Sequence, residues 1–129
     1  MAVLHGTMNR RRSLILLVIA VIGLLLSPLV IDAVSNRVRV LNASQQQIKD
    51  LRIKVWSQEL GREEIPPGRS VGFRFRTEYG DSGLTVTARL KDGTLLEQTD
   101  GYVTGGDPFR VERFTVTIHP DKIAIRQNE

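Results

Sequence analysis

The chain has 129 residues, 18 of them Lys or Arg and 14 Asp or Glu, giving a formal net charge of +4. It contains no cysteine, which excludes disulfides, thiolate metal sites and a cysteine nucleophile. The positive charge does not by itself indicate nucleic acid: three of the 18 basic residues (Arg10, Arg11, Arg12) precede an apolar run and one of the 14 acidic residues (Asp32) follows it, so 15 basic and 13 acidic residues remain from Val34 onward, and along the chain they alternate rather than cluster.

From Leu14 to Ile31 the sequence reads LILLVIAVIGLLLSPLVI, without a charge between Arg12 and Asp32. A helix of that length spans about 27 Å against a hydrocarbon core of about 30 Å, which predicts one transmembrane helix with the lipid bilayer as its partner. The three arginines before it predict a cytoplasmic basic tail over 1–13 and a far-side domain, in a single-pass protein of the inner (plasma) membrane. Pro28 lies late in the run, where it would kink or end the helix. The division that follows is tail 1–13, helix 14–31 as a signal anchor, linker 32–36 and an extracytoplasmic domain over 37–129. The alternative is a cleaved signal peptide with Leu14 to Leu26 as its apolar core, although Pro28 and Ile31 suit a cleavage site poorly.

After Ser35 the apolar residues recur with a period of two. Val38 and Val40 alternate with arginines; Leu51, Ile53 and Val55 with Arg52, Lys54 and Trp56; Val71, Phe73 and Phe75 with Gly72, Arg74 and Arg76. The same holds for Leu84 to Leu90, for Phe114 to Ile118 and, more weakly, for Leu95 to Thr99 and Lys122 to Arg126. Half-buried antiparallel strands read this way. Turns are marked by Asn42-Ala43-Ser44, Pro66-Pro67-Gly68, Asp81-Ser82-Gly83, Asp92-Gly93 and His119-Pro120-Asp121. Gly101 to Pro108 reads as a loop, and the opposite parity of Phe109 and Val111 to Phe114 and Val116 predicts a bulge near Glu112 or Arg113. The fold class expected is all-β, an immunoglobulin-like antiparallel sandwich of about seven strands behind the transmembrane helix.

Asn42-x-Ser44 after the first strand, Pro67-Gly68 opening a strand, and Gly101-Tyr102-Val103 before a final strand pair form a pattern that resembles small bacterial β-sandwich proteins with an N-terminal membrane anchor. That resemblance implies a fold and an address. It brings no activity, because those proteins have none assigned.

Nothing in the sequence forms a catalytic constellation, and no cofactor is implied. The exported part has one histidine, His119, in a His-Pro-Asp tripeptide that matches a co-chaperone motif but lies between two strands, where a turn explains it. Asn42-Ala43-Ser44 is formally a glycosylation acceptor and equally an Asx turn. Glu63 and Glu64 would point to opposite faces of a strand. Asp100 and Asp107 flank a glycine-rich loop, but their spacing matches no calcium loop, so no metal site is expected. The candidate surface is Arg52, Lys54, Trp56, Arg74 and Arg76, which alternation sends to solvent on strands expected to be neighbours. The function expected is a non-enzymatic, membrane-anchored interaction module for a membrane or envelope protein; a glycan or cell-wall binding domain is the alternative.

Overall fold

The structure, a computed structural model, describes residues 10–107 and 110–128, the side chains of 28–34 excepted. It divides into two compact units, Met1–Val34 and Ser35–Glu129. The first holds helix α1 (Arg10–Val34), the second strands β1 (Asn36–Asn42), β2 (Ile48–Val55), β3 (Gln58–Ile65), β4 (Ser70–Phe75), β5 (Ser82–Leu90), β6 (Leu95–Val103), β7 (Arg113–Ile118) and β8 (Ile123–Asn128).

The helix corrects the first expectation. It begins at Arg10, so its first turn carries three arginines, and it continues through Pro28. Between Arg12 and residue 27, the last whose side chain is described, the apolar stretch is Leu14 to Leu26, about 20 Å of helix against a hydrocarbon core of about 30 Å. No helix among the described residues is long and apolar enough to cross a membrane. The expected transmembrane helix at 14–31 gives way to a helix over Arg10–Val34 with a charged start. The tail before Arg10 lies outside the described residues.

The β unit is a sandwich of two four-stranded sheets, ordered β4-β1-β7-β8 and β3-β2-β5-β6. One side of each sheet meets the other in a single core, led by Val38, Val40, Phe75, Phe114, Val116 and Ile118 from the first sheet and Ile48, Leu51, Ile53, Leu84, Val86 and Leu90 from the second. Every buried apolar side chain among the described residues belongs to this unit, so residues 35–129 carry a complete core and fold as a unit.

Two features of the fold class are corrected. Among the described residues eight strands form, not seven, and they are not all antiparallel, because β1 pairs in parallel with β7. In the immunoglobulin order the first two strands are neighbours; here β1 and β2 lie in different sheets. Alternation along a strand reports which side is buried and carries no information about which strand lies beside it. The extra strand is β3, whose sequence QELGREEI buries only Ile65 fully because it is a sheet edge. Its hairpin to β2 turns on Trp56-Ser57, with Trp56 at φ 51°, and lacks the Asn-Gly or Asp-Gly signature.

The loop expected over Gly101 to Pro108 is partly strand, since β6 runs to Val103. β7 begins at Arg113, so the bulge expected near Glu112 is not needed; the register shifts fall between Ile48 and Asp50 and between Ser82 and Leu84. Pro108 and Phe109 lie outside the described residues. The Asp92-Gly93 hairpin forms as expected, with Gly93 donating its amide to Leu90 O at 3.0 Å and Thr94 donating its own to Asp92 Oδ1 at 2.9 Å.

Two buried asparagines pin the ends of β1. Asn36 Nδ2 donates to Thr77 Oγ1 at 2.8 Å, and its Oδ1 accepts the Glu112 amide at 2.8 Å. Asn42 Nδ2 donates to Gln46 O at 2.7 Å and to Ile65 O at 3.0 Å, while its Oδ1 accepts the Ser44 amide at 3.1 Å and hydroxyl at 2.7 Å. Ile65 ends β3 in the other sheet, so this one amide ties both sheets together. Asn42 is fully buried, and Asn42-Ala43-Ser44 is the Asx turn.

Two stability predictions follow from these contacts, read by urea unfolding of residues 35–129. Asn42→Ala removes four hydrogen bonds from a buried site and should cost about 2–4 kcal/mol. Phe75→Ala should cost about 3–5 kcal/mol, while exposed Arg74→Ala should cost well under about 1 kcal/mol. Equal losses at 74 and 75 would contradict the register.

Candidate functional site

The sequence-derived surface residues fall in three places. Arg52 and Lys54 face outward from β2, in the second sheet; Arg74 faces outward from β4, in the first; Arg76 follows β4 in a loop. Expecting them on neighbouring strands is a geometric error. The chain crosses between sheets after β1, and parity does not register such a crossing.

Trp56 is half-buried. Its ring lies 6.2 Å from that of Phe75, and its indole N–H donates to Gly80 O at 2.8 Å. The loop that covers it is fastened to the β2–β3 hairpin. Gln58 exchanges two hydrogen bonds with the Arg76 backbone, at 2.7 and 2.8 Å, and Glu78 accepts the Ser57 hydroxyl at 2.5 Å and amide at 3.0 Å. Those Ser57 bonds hold the Glu78 carboxyl below the ordinary glutamate pKa, with Arg76 adding attraction.

The outer face of the second sheet is mixed in sign. Register places Asp50 between Glu63 and Arg89, Arg52 between Gly61 and Thr87, and Lys54 between Glu59 and Thr85, with Glu97 opposite Thr87. Arg52 pairs with Asp50 at 3.0 Å and approaches Glu59 at 3.7 Å. Arg52 is thus balanced where it stands, and Lys54 has Glu59 opposite it in register.

The outer face of the first sheet is different. One row across it reads Arg74, Arg37, Arg113, Asn128, the next Gly72, Arg39, Thr115, Arg126, and a third Ser70, Leu41, Thr117, Ala124. Five arginines occupy these rows, and among the described residues no carboxylate does. Arg39 and Arg126 are both exposed, and neither forms an ion pair with another described residue. Sequence reading saw alternating charge and missed the cluster, because its five members come from four strands that only the topology brings together.

Within this face Arg37, Arg39 and Arg74 line a shallow hollow of about 420 Å³ together with Ser70 to Phe73. Gly72 is among the residues that line it. A Cβ added there would meet nothing within 4 Å, so the backbone does not require glycine at this position. At Gly101 it does: φ is +77° and an added Cβ would stand 2.8 Å from Phe114 Cε1 in the core.

The remaining candidates have local structural roles. His119 opens the β7–β8 turn, its amide donating to Lys122 O at 2.8 Å. Asp100 accepts the Gly101 amide at 2.7 Å, and no group of three metal-ligating side chains occurs among the described residues. Buried Glu112 was not foreseen. Its Oε2 accepts from Gln127 Nε2 at 2.7 Å, and Arg110 Nε stands 2.9 Å from its Oε1 as an ion pair without hydrogen-bond geometry.

No known protein family matches the chain, and no curated protein does. Among solved structures, an NMR structure of a protein from Eubacterium rectale is similar at 17% identity and a TM-score of 0.53, covering 74% of this chain and 92% of that one. A Gram-negative toxin (8% identity, TM-score 0.35) and a non-hemolytic pneumolysin from Streptococcus pneumoniae (4%, 0.34) each align over 73% of this chain and 23% of their own. The first likeness shows the fold alone, and the other two carry no argument.

Two measurements check this geometry. Gly72→Thr should hold or raise the thermal midpoint of residues 35–129, since a β-branched residue suits an open strand position, whereas Gly101→Ala should lower it. A large loss at Gly72 would show that its backbone needs glycine after all. Because the Glu78 pKa is lowered in the folded state, its contribution is present above the ordinary glutamate pKa and is lost as pH falls through the folded value. Glu78→Gln should therefore make the midpoint fall less steeply on the acid side; an unchanged slope would mean the Ser57 bonds do not stabilise the fold.

Proposed function

We propose that this protein is a non-enzymatic interaction module whose working surface is the outer face of the β4-β1-β7-β8 sheet and whose partner is acidic. The observation that carries the reading is the segregation of charge: five arginines on one outer face, a balanced mixture on the other. Like charges gathered on adjacent strands repel and contribute little to folding, and Arg39 and Arg126 stand exposed on this face without an ion pair to another described residue. Electrostatic complementarity to an acidic surface accounts for them.

The reading includes attachment to a lipid bilayer through α1. Leu14 to Val18, Ile19, Val21, Ile22 and Leu24 to Leu26 are all exposed in the isolated chain. That apolar stretch, too short to cross a bilayer, is read as seating against its surface behind the three arginines of the first turn. This gives the module an address at a membrane surface, with a membrane or envelope component as its partner. Glycan binding has less support: Trp56 is half-buried, Tyr102 donates its hydroxyl to Asp81, and exposed Tyr79 lies in the β4–β5 loop and not on a strand of the arginine face.

The test is purification of the full-length protein in mild detergent. Arg39→Glu with Arg126→Glu should release what co-purifies with the wild type, and rising salt should do the same. Arg52→Glu with Lys54→Glu should release nothing. Retention of every associated component by the first pair would remove the basis of the reading.

A further inference from the structure

We infer that the partner of the arginine face is the anionic headgroup layer of a lipid bilayer, recognised through its phosphates; this rests on the interaction-module reading above. The first reason is what the face lacks. A protein interface concentrates its energy in aromatic or large apolar anchors that fill pockets. Between the arginines the outward positions are Gly72, Ser70, Thr115, Thr117, Ala124, Asn128 and Leu41, which is 36% exposed, while Val71 and Phe73 at the edge of the hollow are half-buried and packed against the core. That composition suits a diffuse layer of negative charge and offers little to a shaped protein surface.

The hollow supplies the second reason. Arginine presents a planar fork of donors that matches phosphate oxygens. Arg39, exposed and in no ion pair with another described residue, borders a space of about 420 Å³ lined also by Arg37, Arg74 and Gly72, a glycine in an ordinary conformation. A side chain at 72 would stand in the hollow, so glycine there keeps it open to a group approaching from solvent.

Connectivity is the third. Arg37 follows the last residue of α1 by three residues, and β1 then delivers Arg39 to the same face. An apolar segment and a basic cluster adjacent in one chain are the two signals that stable, reversible membrane association requires. Double-stranded nucleic acid shares the phosphate chemistry. The arginines here spread over four strands of a sheet face, and a groove reader gathers them along one helix or one two-stranded ribbon.

The test uses residues 35–129, which carry the whole core, so that α1 cannot contribute. They are sedimented with vesicles of phosphatidylcholine alone or with about one-third phosphatidylglycerol, and titrated in parallel with poly-glutamate and a duplex oligonucleotide. Expected is binding to the anionic vesicles only, weakening about tenfold or more as salt rises several-fold. Arg39→Glu with Arg126→Glu should lose that binding, and Arg52→Glu with Lys54→Glu should keep it, both pairs retaining the wild-type circular dichroism. Gly72→Tyr, which fills the hollow without touching a charge, should weaken binding several-fold. Equal binding to both vesicle types, or equal loss in both charge-reversed pairs, overturns the inference. Tighter capture by poly-glutamate or duplex than by anionic vesicles also overturns it, while leaving the interaction-module reading in place. If no polyanion distinguishes the wild type from Arg39→Glu/Arg126→Glu, both readings fail.

Discussion

The register of β1 is the constraint on which the other features of the β unit depend. This strand lies between β4 and β7, pairing antiparallel with one and parallel with the other. A slip of one residue would send Val38 and Val40 to solvent and carry Arg37 and Arg39 into the core. The two buried asparagines at its ends prevent that slip. Asn42 binds Ile65 O in the opposite sheet, and Asn36 binds the Glu112 amide just ahead of β7. Each is a side-chain amide with both of its ends occupied, a buried polar group whose removal costs far more than the net worth of any single bond it makes.

Once β1 is fixed, the charge pattern follows without further instruction. Its outward positions set the columns into which Arg74, Arg113 and Arg126 fall, and the parallel β1–β7 pair puts Arg37 beside Arg113. The second sheet, built on β2, collects acidic residues from β3 and β6 that its basic residues can meet. The chain from Val34 onward holds 15 basic and 13 acidic residues, yet folding gathers five of the basic ones on one outer face with no acidic one beside them among the described residues, and leaves both signs on the other.

Much of the fold was legible in the sequence. Val38, Val40, Leu51, Ile53, Val55, Leu84, Val86, Phe114 and Val116 are all buried as alternation predicts, and the Pro66-Pro67-Gly68 and Asp92-Gly93 turns are where their residues demand them. β3 was not legible, because an edge strand with Glu59, Glu63 and Glu64 needs little apolar surface and its turn carries Trp56 in a conformation usually given to Gly or Asn. The candidate surface was legible residue by residue and illegible as a set. Period two correctly marked Arg52, Lys54 and Arg74 as outward, but joined residues from opposite sheets and passed over Arg37, Arg39, Arg113 and Arg126. Pairing between strands distant in sequence is a tertiary fact that no local pattern encodes. At the N-terminus the apolar run was plain, but the start of the helix was not: it takes in Arg10 to Arg12.

The central claim is that the β4-β1-β7-β8 face meets an anionic headgroup layer, and residue-resolved NMR of isotope-labelled residues 35–129 with anionic lipid nanodiscs tests it most directly. The account predicts broadening at the amides of Arg37 to Leu41, Gly72 to Arg74 and Thr115, and at the Nε–H groups of Arg39 and Arg126, while Arg52, Lys54 and Glu97 stay sharp until the whole molecule broadens. Selective broadening on the β3-β2-β5-β6 face, or perturbation spread evenly over both faces from the first addition, would contradict it.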